Sequence, residues 1–159
     1  MSAQNVLKII DTTLPTLAPY GIKITDAART ILLAIAGQES NWTHRRQMVG
    51  SPPRPTGPAS GFWQFERGGG IVGVLNHHTT KGTCQKILPS LNSTALWELI
   101  GTEQGDIVAC QLARLLLWTD PKALPTLPGP AWDLYIRCWR PGKPHQTAGR
   151  RTGAPPKPL

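Results

Sequence analysis

The chain has 159 residues, of which 40% are hydrophobic and only 16% are charged. A chain of this length forms one domain of ordinary size, and its composition excludes both a charged disordered protein and a coiled coil. Its longest apolar run, residues 31–36, is far shorter than the roughly 18 residues that a membrane-spanning helix requires. The sequence therefore predicts no membrane span.

Basic residues dominate the charge: 17 lysines and arginines face nine aspartates and glutamates, which gives a net charge of +8. Such an excess favours anionic partners, whether nucleic acid, a membrane surface or an acidic wall polymer, without choosing among them. Six of the basic residues lie from Arg137 onward, and no acidic residue follows Asp133. We predict one folded domain over residues 1–140 and a basic, Pro/Gly-rich C-terminal tail over residues 141–159.

The first predicted helix lies within residues 2–18, where apolar residues recur at helical spacing. Pro15, Pro19 and Gly21 limit how far a regular helix can run there. The clearest helix comes next, with Thr25 as its N-cap and an end near Glu39. Because this second helix is apolar on every face, we expect it to lie buried in the middle of the domain.

A proline-rich segment follows over residues 50–61, with four prolines in seven positions. It excludes a helix or a central strand and indicates a loop. After three glycines at 68–70 the pattern predicts a helical stretch to about His78, then helices at 93–101, 104–119 and 131–139. No run of alternating residues indicates a β-strand, so the predicted fold class is mainly α.

The N-terminal segment, the cysteines and the histidines bear on the compartment of the protein and on metal binding. The N-terminal segment lacks the basic region, the apolar core and the cleavage site of a secretory signal. The three cysteines are widely spaced, which indicates buried free thiols. His77 and His78 are adjacent and would point in different directions on a helix. We therefore predict synthesis in a reducing cytoplasm, with no metal and no cofactor.

The nine acidic residues are few enough to consider singly as catalytic groups. Glu39 differs from the rest because it ends the most apolar helix, close to Trp42. Lost hydration and the negative end of the helix both disfavour its charged form, which suits a general acid. The alternative is a solvated glutamate. Glu66 is the second candidate, and its alternative is an exposed ion pair with the neighbouring Arg67. The other acids are explained by capping or solvation: Asp11, Asp26, Glu98, Glu103, Asp106, Asp120 and Asp133.

The segment Gly61-Phe62-Trp63-Gln64 places a glycine, two aromatic residues and an amide together after the proline-rich loop. Aromatic faces beside an amide donor and acceptor suit a sugar ring that carries hydroxyl and acetamido groups. The alternative is that these aromatic residues pack in the core.

Residues 36–42 (AGQESNW), followed after about twenty residues by 61–65 (GFWQF), resemble the motifs of the lytic transglycosylase and goose-type lysozyme-like superfamily. In those domains a helix ends in Glu-Ser before an aromatic residue, and a Gly-Leu-Met-Gln-like turn follows. Within the superfamily, the chain is most similar to small bacteriophage lysozyme-like proteins. The resemblance covers residues 25–78 and implies a single, mainly α, lysozyme-like domain of the soluble lytic transglycosylase type.

The resemblance implies roles for individual residues. Glu39 matches the catalytic acid/base, and Ser40 matches the serine that helps to position the substrate or the acid. Gly61 and Gln64 match the ends of the second motif, which lines the sugar site. Two aromatic residues, Phe62 and Trp63, replace the usual Leu-Met pair of that motif.

The third motif of the superfamily, an Ala-Tyr-Asn-like segment, is missing. Tyr135 lies in the corresponding region and is a candidate for substrate binding, but isoleucine and not asparagine follows it.

The implied reaction is cleavage of the β-1,4 bond between N-acetylmuramic acid and N-acetylglucosamine in peptidoglycan. Glu39 would protonate the glycosidic oxygen and then deprotonate the muramoyl 6-hydroxyl, which gives a 1,6-anhydro product. The acetamido group of the substrate could stabilise the developing cation. If water enters instead, the reaction is a lysozyme-type hydrolysis, and Glu66 or Asp106 would be the second carboxylate. Either reaction is consistent with the sequence.

The resemblance also implies a virion-associated bacteriophage protein that opens the wall during genome entry. Such a protein is made in the host cytoplasm without a signal peptide and acts in the periplasm or cell wall, on peptidoglycan glycan strands and beside other virion or tail proteins. One alternative is a structural tail or ejection component with the same fold and little activity. The other is a nucleic-acid-binding protein, although no helix-turn-helix or zinc-finger pattern is present.

Overall fold

The computed structural model describes residues 2–139, which fold mainly into helices. The predicted mainly α class is confirmed, whereas the predicted tail at 141–159 lies outside the described residues. The elements, in chain order, are α1 (Ala3–Leu17), α2 (Asp26–Ser40), β1 (Ala59–Ser60), β2 (Phe65–Glu66), α3 (Val72–Asn76), α4 (Lys81–Ile87), α5 (Ser93–Ile100), α6 (Asp106–Trp118) and α7 (Pro128–Trp139). No helix within residues 2–139 is long and apolar enough to cross a membrane.

The second helix, α2, forms the middle of the core, as its sequence predicts. The hydroxyl of Thr25 accepts a hydrogen bond from the backbone of Ala28 at 3.1 Å, so the helix begins at the predicted cap. At its other end Asn41 adopts a left-handed conformation (φ 53°), and its N–H donates to the carbonyl of Gly37. Helices α1 and α6 pack against α2. They bury its middle, residues 31–36, and leave its first turn partly exposed and most of its last turn half-buried.

The first helix, Ala3–Leu17, lies within the predicted range of residues 2–18 and continues through Pro15. Pro15 lies in the last turn, where the missing N–H removes a single helical hydrogen bond. The buried face of α1, which includes Ile10 and Leu14, packs against α2 and α6. Burying these side chains outweighs the lost hydrogen bond.

A short hairpin corrects the prediction that the chain has no β-strand. β1 and β2 pair antiparallel, with Ala59 opposite Glu66 and Ser60 opposite Phe65. Each strand is only two residues long, which is too short for an alternating pattern to appear in the sequence. The four residues between the strands, Gly61–Gln64, form the turn.

The last helix begins at Pro128, three residues before its predicted start at Ala131. Pro128 and Pro130 lie in its first turn, where backbone N–H groups have no partner within the helix, so proline is tolerated there.

The sequence did not predict helix α4. Of the three cysteines, Cys84 and Cys110 are free and buried as predicted, whereas Cys138 is half-buried.

A partly buried ion pair ties the segment before the hairpin to α6. Nε and Nη2 of Arg45 donate to the two carboxylate oxygens of Asp106, each at 2.8 Å. The hydrogen bond with Asp106 raises the pKa of Arg45. The carbonyl of Arg45 accepts from the N–H of Gly61, and its guanidinium lies 4.8 Å from the centre of the Phe62 ring. The pair therefore fixes the position of the hairpin turn.

We expect Asp106→Asn to lower the free energy of unfolding by about 2 kcal/mol, because it leaves a partly buried guanidinium without its counter-charge. Urea denaturation followed by circular dichroism measures this. Asp11→Asn, which breaks the solvent-exposed pair with Arg29, is the matched control and should leave the midpoint nearly unchanged. Equal shifts of the urea midpoint for both variants would contradict the stabilising role of the Arg45–Asp106 pair.

Another arginine, Arg114, is buried without a counter-charge from residues 2–139 and is expected to lower the stability of the fold. Arg114 is only 4% exposed, and its Nε has no hydrogen-bond partner. Burial lowers the pKa of Arg114 to about 10, which means that the fold disfavours its charge. We expect Arg114→Met to raise the free energy of unfolding by about 1 kcal/mol, and a lower urea midpoint would contradict this.

Candidate active site

A cleft of about 1380 Å³ lies at the C-terminal end of α2. One wall is the last turn of α2 and the residues just after it. A second wall is formed by the hairpin, the glycine segment that follows and the start of α3. The third wall combines the end of α6, the loop after it and α7. The cleft therefore lies where three parts of the chain that are distant in sequence meet.

Glu39 lies in the first wall and is half-buried. Its Oε2 accepts a hydrogen bond from the hydroxyl of Tyr135, which belongs to α7. The ring of Tyr135 is fully buried and packs between Trp132 and Trp139, with ring centres 5.2 and 6.2 Å away. The structure thus brings together two of the predicted site residues. Tyr135 itself does not line the cleft, so it contacts Glu39 from behind the cleft wall and is not placed to bind substrate.

Trp139 is a cleft residue that the sequence reasoning missed. Its Nε1 donates to the carbonyl of Trp63 at 2.8 Å, which ties α7 to the hairpin turn. Its ring lies 5.9 Å from that of Phe65. The signal was present in the sequence, because aromatic residues at 132, 135 and 139 recur on one helical face.

Trp42 lies just after α2 and folds back onto it. Its indole N–H donates to the carbonyl of Leu33 at 2.9 Å. Its ring covers Gly37 so closely that a Cβ there would lie 2.3 Å from a ring carbon. Trp42 therefore packs against the last turns of α2, and Gly37 leaves the room that this packing needs.

The predicted sugar-binding turn contributes its polar residue and not its aromatic ones. Gln64 lines the cleft, and its amide Nε2 donates to the carbonyl of Gly61 at 2.9 Å. Gly61 has φ 79°, and a Cβ there would lie 3.2 Å from the carbonyl oxygen of Ile100, which favours glycine. Gly61 itself does not line the cleft.

The side chains of Phe62 and Trp63 are fully buried. The indole N–H of Trp63 donates to the carbonyl of Leu32 in α2 at 2.9 Å. These residues anchor the turn to the core and present no face to the cleft. The alternative of core packing, which the sequence left open, describes them.

Ser40 lies at the edge of the cleft but is buried, and its hydroxyl donates to the carbonyl of Ala36 at 2.9 Å. Its proton is therefore used within α2, which leaves the oxygen lone pairs as its means of contacting a substrate.

The two candidates for a second carboxylate differ sharply. Glu66 is exposed and lines the cleft. The guanidinium of the neighbouring Arg67 lies over the ring of Trp97, at 4.8 Å from its centre, and no ion pair between Glu66 and Arg67 occurs. Asp106 does not line the cleft, and both its oxygens are held by Arg45. Asp106 is therefore excluded, and Glu66 remains.

Other polar residues on the cleft were not predicted, namely His44, His77 and an ion pair between Asp120 and Arg137. The hydrogen bond from Arg137 lowers the pKa of Asp120.

The adjacent histidines do not point in different directions on a helix, which corrects the sequence prediction. Helix α3 ends before His77, and the rings of His77 and His78 stack with their centres 4.5 Å apart. Within residues 2–139, no group of three or more His, Cys, Asp or Glu side chains is placed to hold a metal ion.

Comparison of the chain with protein-family models, with curated proteins and with solved structures found no match.

Proposed function

We propose that the protein is a peptidoglycan-cleaving enzyme with a lysozyme-like fold, acting on the β-1,4 bond between N-acetylmuramic acid and N-acetylglucosamine. The observation that supports this best is the hydrogen bond from the buried Tyr135 to Glu39, which lies on the wall of a large cleft. A half-buried carboxyl group held by a buried phenol is arranged as a positioned acid/base would be. At about 1380 Å³, the cleft exceeds the roughly 300–1,000 Å³ typical of small-molecule pockets, which suits a polymer.

In the proposed reaction Glu39 donates its proton to the glycosidic oxygen as the bond breaks. The hydrogen bond from Tyr135 to Oε2 then stabilises the carboxylate that is left, because a donor favours the charged form. In the lytic transglycosylase route that carboxylate accepts the proton of the muramoyl 6-hydroxyl, and the 1,6-anhydro ring closes. In this way one carboxyl group serves both steps.

The hydrolytic route has a candidate base as well. Glu66 lies on the cleft and has no partner among the ion pairs of residues 2–139. It could activate a water molecule that attacks from the opposite side of the sugar ring. The two routes share the role of Glu39 and differ in their products.

The biological setting proposed from the resemblance is a bacteriophage virion that opens the wall during genome entry. A surplus of positive charge supports attraction to an anionic wall. The structural component and the nucleic-acid-binding protein are the alternatives that the first experiment separates.

That experiment is incubation of the purified protein with purified, insoluble peptidoglycan and quantification of the soluble fragments. We expect release that depends on time and on enzyme concentration. No release would favour the structural component, whereas no release together with salt-sensitive DNA binding would favour the nucleic-acid-binding protein.

A further inference from the structure

One glycine on the second wall of the cleft has no explanation in the fold. Gly73 lies in α3, is exposed and lines the cleft. Its φ does not require glycine, and a Cβ at this position would meet no atom within 4 Å. Glycine stabilises a helix less than alanine does, so stability alone favours a side chain here.

Its neighbour Gly70 shows the contrast. Gly70 also lines the cleft, but a Cβ there would lie 2.7 Å from the ring of Phe65, so packing accounts for that glycine. No such contact accounts for Gly73. Because Gly73 itself lines the cleft, a side chain there would extend from the cleft wall.

His77 lies one helical turn beyond Gly73 and lines the same cleft. Its backbone N–H donates to the carbonyl of Gly73 at 3.0 Å, which keeps the two residues in register. The backbone N–H of Thr79 donates to Nδ1 of His77 at 3.2 Å, and the hydroxyl of Thr79 lies 2.7 Å from the same atom. Because a backbone N–H can only donate, Nδ1 is an acceptor and the neutral ring carries its proton on Nε2.

We propose that Gly73 and His77 form a glycan subsite on the α3 side of the cleft, a proposal that rests on the proposed function. The missing side chain of Gly73 lets a sugar ring approach the helix backbone. The Nε2–H of His77 donates to a hydroxyl or acetamido oxygen of that sugar. The ligand is a β-1,4-linked N-acetylhexosamine unit next to the one whose bond is cleaved at Glu39.

The test measures binding without cleavage, by isothermal titration of the N-acetylglucosamine hexamer into the Glu39→Gln variant. In that background Gly73→Leu should raise the Kd at least about tenfold, because the added side chain occupies the space of the sugar. Gly73→Ala should raise it less and should fold at least as stably as the parent, which guards against a misfolded leucine variant. His77→Ala should raise the Kd about three- to tenfold, the usual value of one neutral hydrogen bond.

Matched controls are available in the chain. Gly82 in α4 is also an exposed helical glycine whose Cβ would meet nothing within 4 Å, but it lies outside the cleft, so Gly82→Leu should keep the parent Kd. His78→Ala removes the ring that stacks on His77 but leaves the Nε2–H donor of His77 in place. This variant should also keep the parent Kd.

An unchanged Kd for Gly73→Leu would overturn the subsite and leave the proposed function standing if the wild type still releases fragments. If Gly73→Leu loses binding but the wild type releases no fragments, the subsite is supported and the proposed cleavage is overturned. No binding by the parent would overturn the subsite directly.

Discussion

Glu39→Gln is expected to lower the rate of peptidoglycan cleavage by about a thousandfold, within the range that a general acid/base contributes. Glutamine has nearly the same shape, and its carbonyl oxygen can still accept the hydrogen bond from Tyr135. It can neither give a proton to the glycosidic oxygen nor take one from a hydroxyl group. The initial rate of fragment release from dye-labelled peptidoglycan measures the loss.

The control for this variant is Glu98→Gln, which changes an exposed glutamate in α5 outside the cleft. It removes the same charge, so it accounts for any general effect of net charge on binding to an anionic wall. We expect full activity from Glu98→Gln and an unchanged thermal midpoint for Glu39→Gln. Activity of Glu39→Gln within tenfold of the wild type would exclude Glu39 as the acid/base.

Tyr135→Phe is expected to lower the cleavage rate about 10- to 100-fold, because it removes the donor that holds and stabilises the Glu39 carboxylate. Glu39 must be protonated to act as the acid, so its ionisation sets the alkaline limb of the pH–rate profile. Since the phenol favours the charged form, its loss should also move that limb to higher pH. A role in packing alone would lower stability without moving that limb. The pH dependence of kcat/KM, measured on soluble glycan strands, distinguishes the two.

The chain has only one other tyrosine, and it makes a matched control. Tyr20 is 39% exposed and lies after α1, away from the cleft, so Tyr20→Phe should leave both the rate and the pH profile unchanged. If Tyr135→Phe also behaved like the wild type, the hydrogen bond to Glu39 would have no part in the reaction.

Local signals made α2 and α6 predictable from the sequence. Thr25 caps α2 as expected, and its long apolar run gives both the helix and its central place in the core. The same signals placed Glu39 at the end of a buried helix. The start of α7 was less accurate, because prolines in the first turn of a helix remove no hydrogen bond within the helix.

Long-range contacts made the rest unpredictable. Tyr135 lies 96 residues from Glu39 in the sequence, and no local pattern shows that α7 packs across the cleft. Phe62 and Trp63 look alike whether they face a sugar or the core, and only the docking of the hairpin turn on α2 buries them. Asp106 likewise reads as a free acid until Arg45 is seen to hold both its oxygens.

The most direct test of the account is mass spectrometry of the fragments that the wild type and Glu39→Gln release from purified peptidoglycan. We expect muropeptides from the wild type alone, cleaved after N-acetylmuramic acid. A 1,6-anhydro terminus would identify the transglycosylase route, and a reducing terminus the hydrolytic route with Glu66 as the candidate base. Equal release by Glu39→Gln, or no glycosidic cleavage by the wild type, would contradict the central claim that Glu39 is the acid/base of a peptidoglycan-cleaving site.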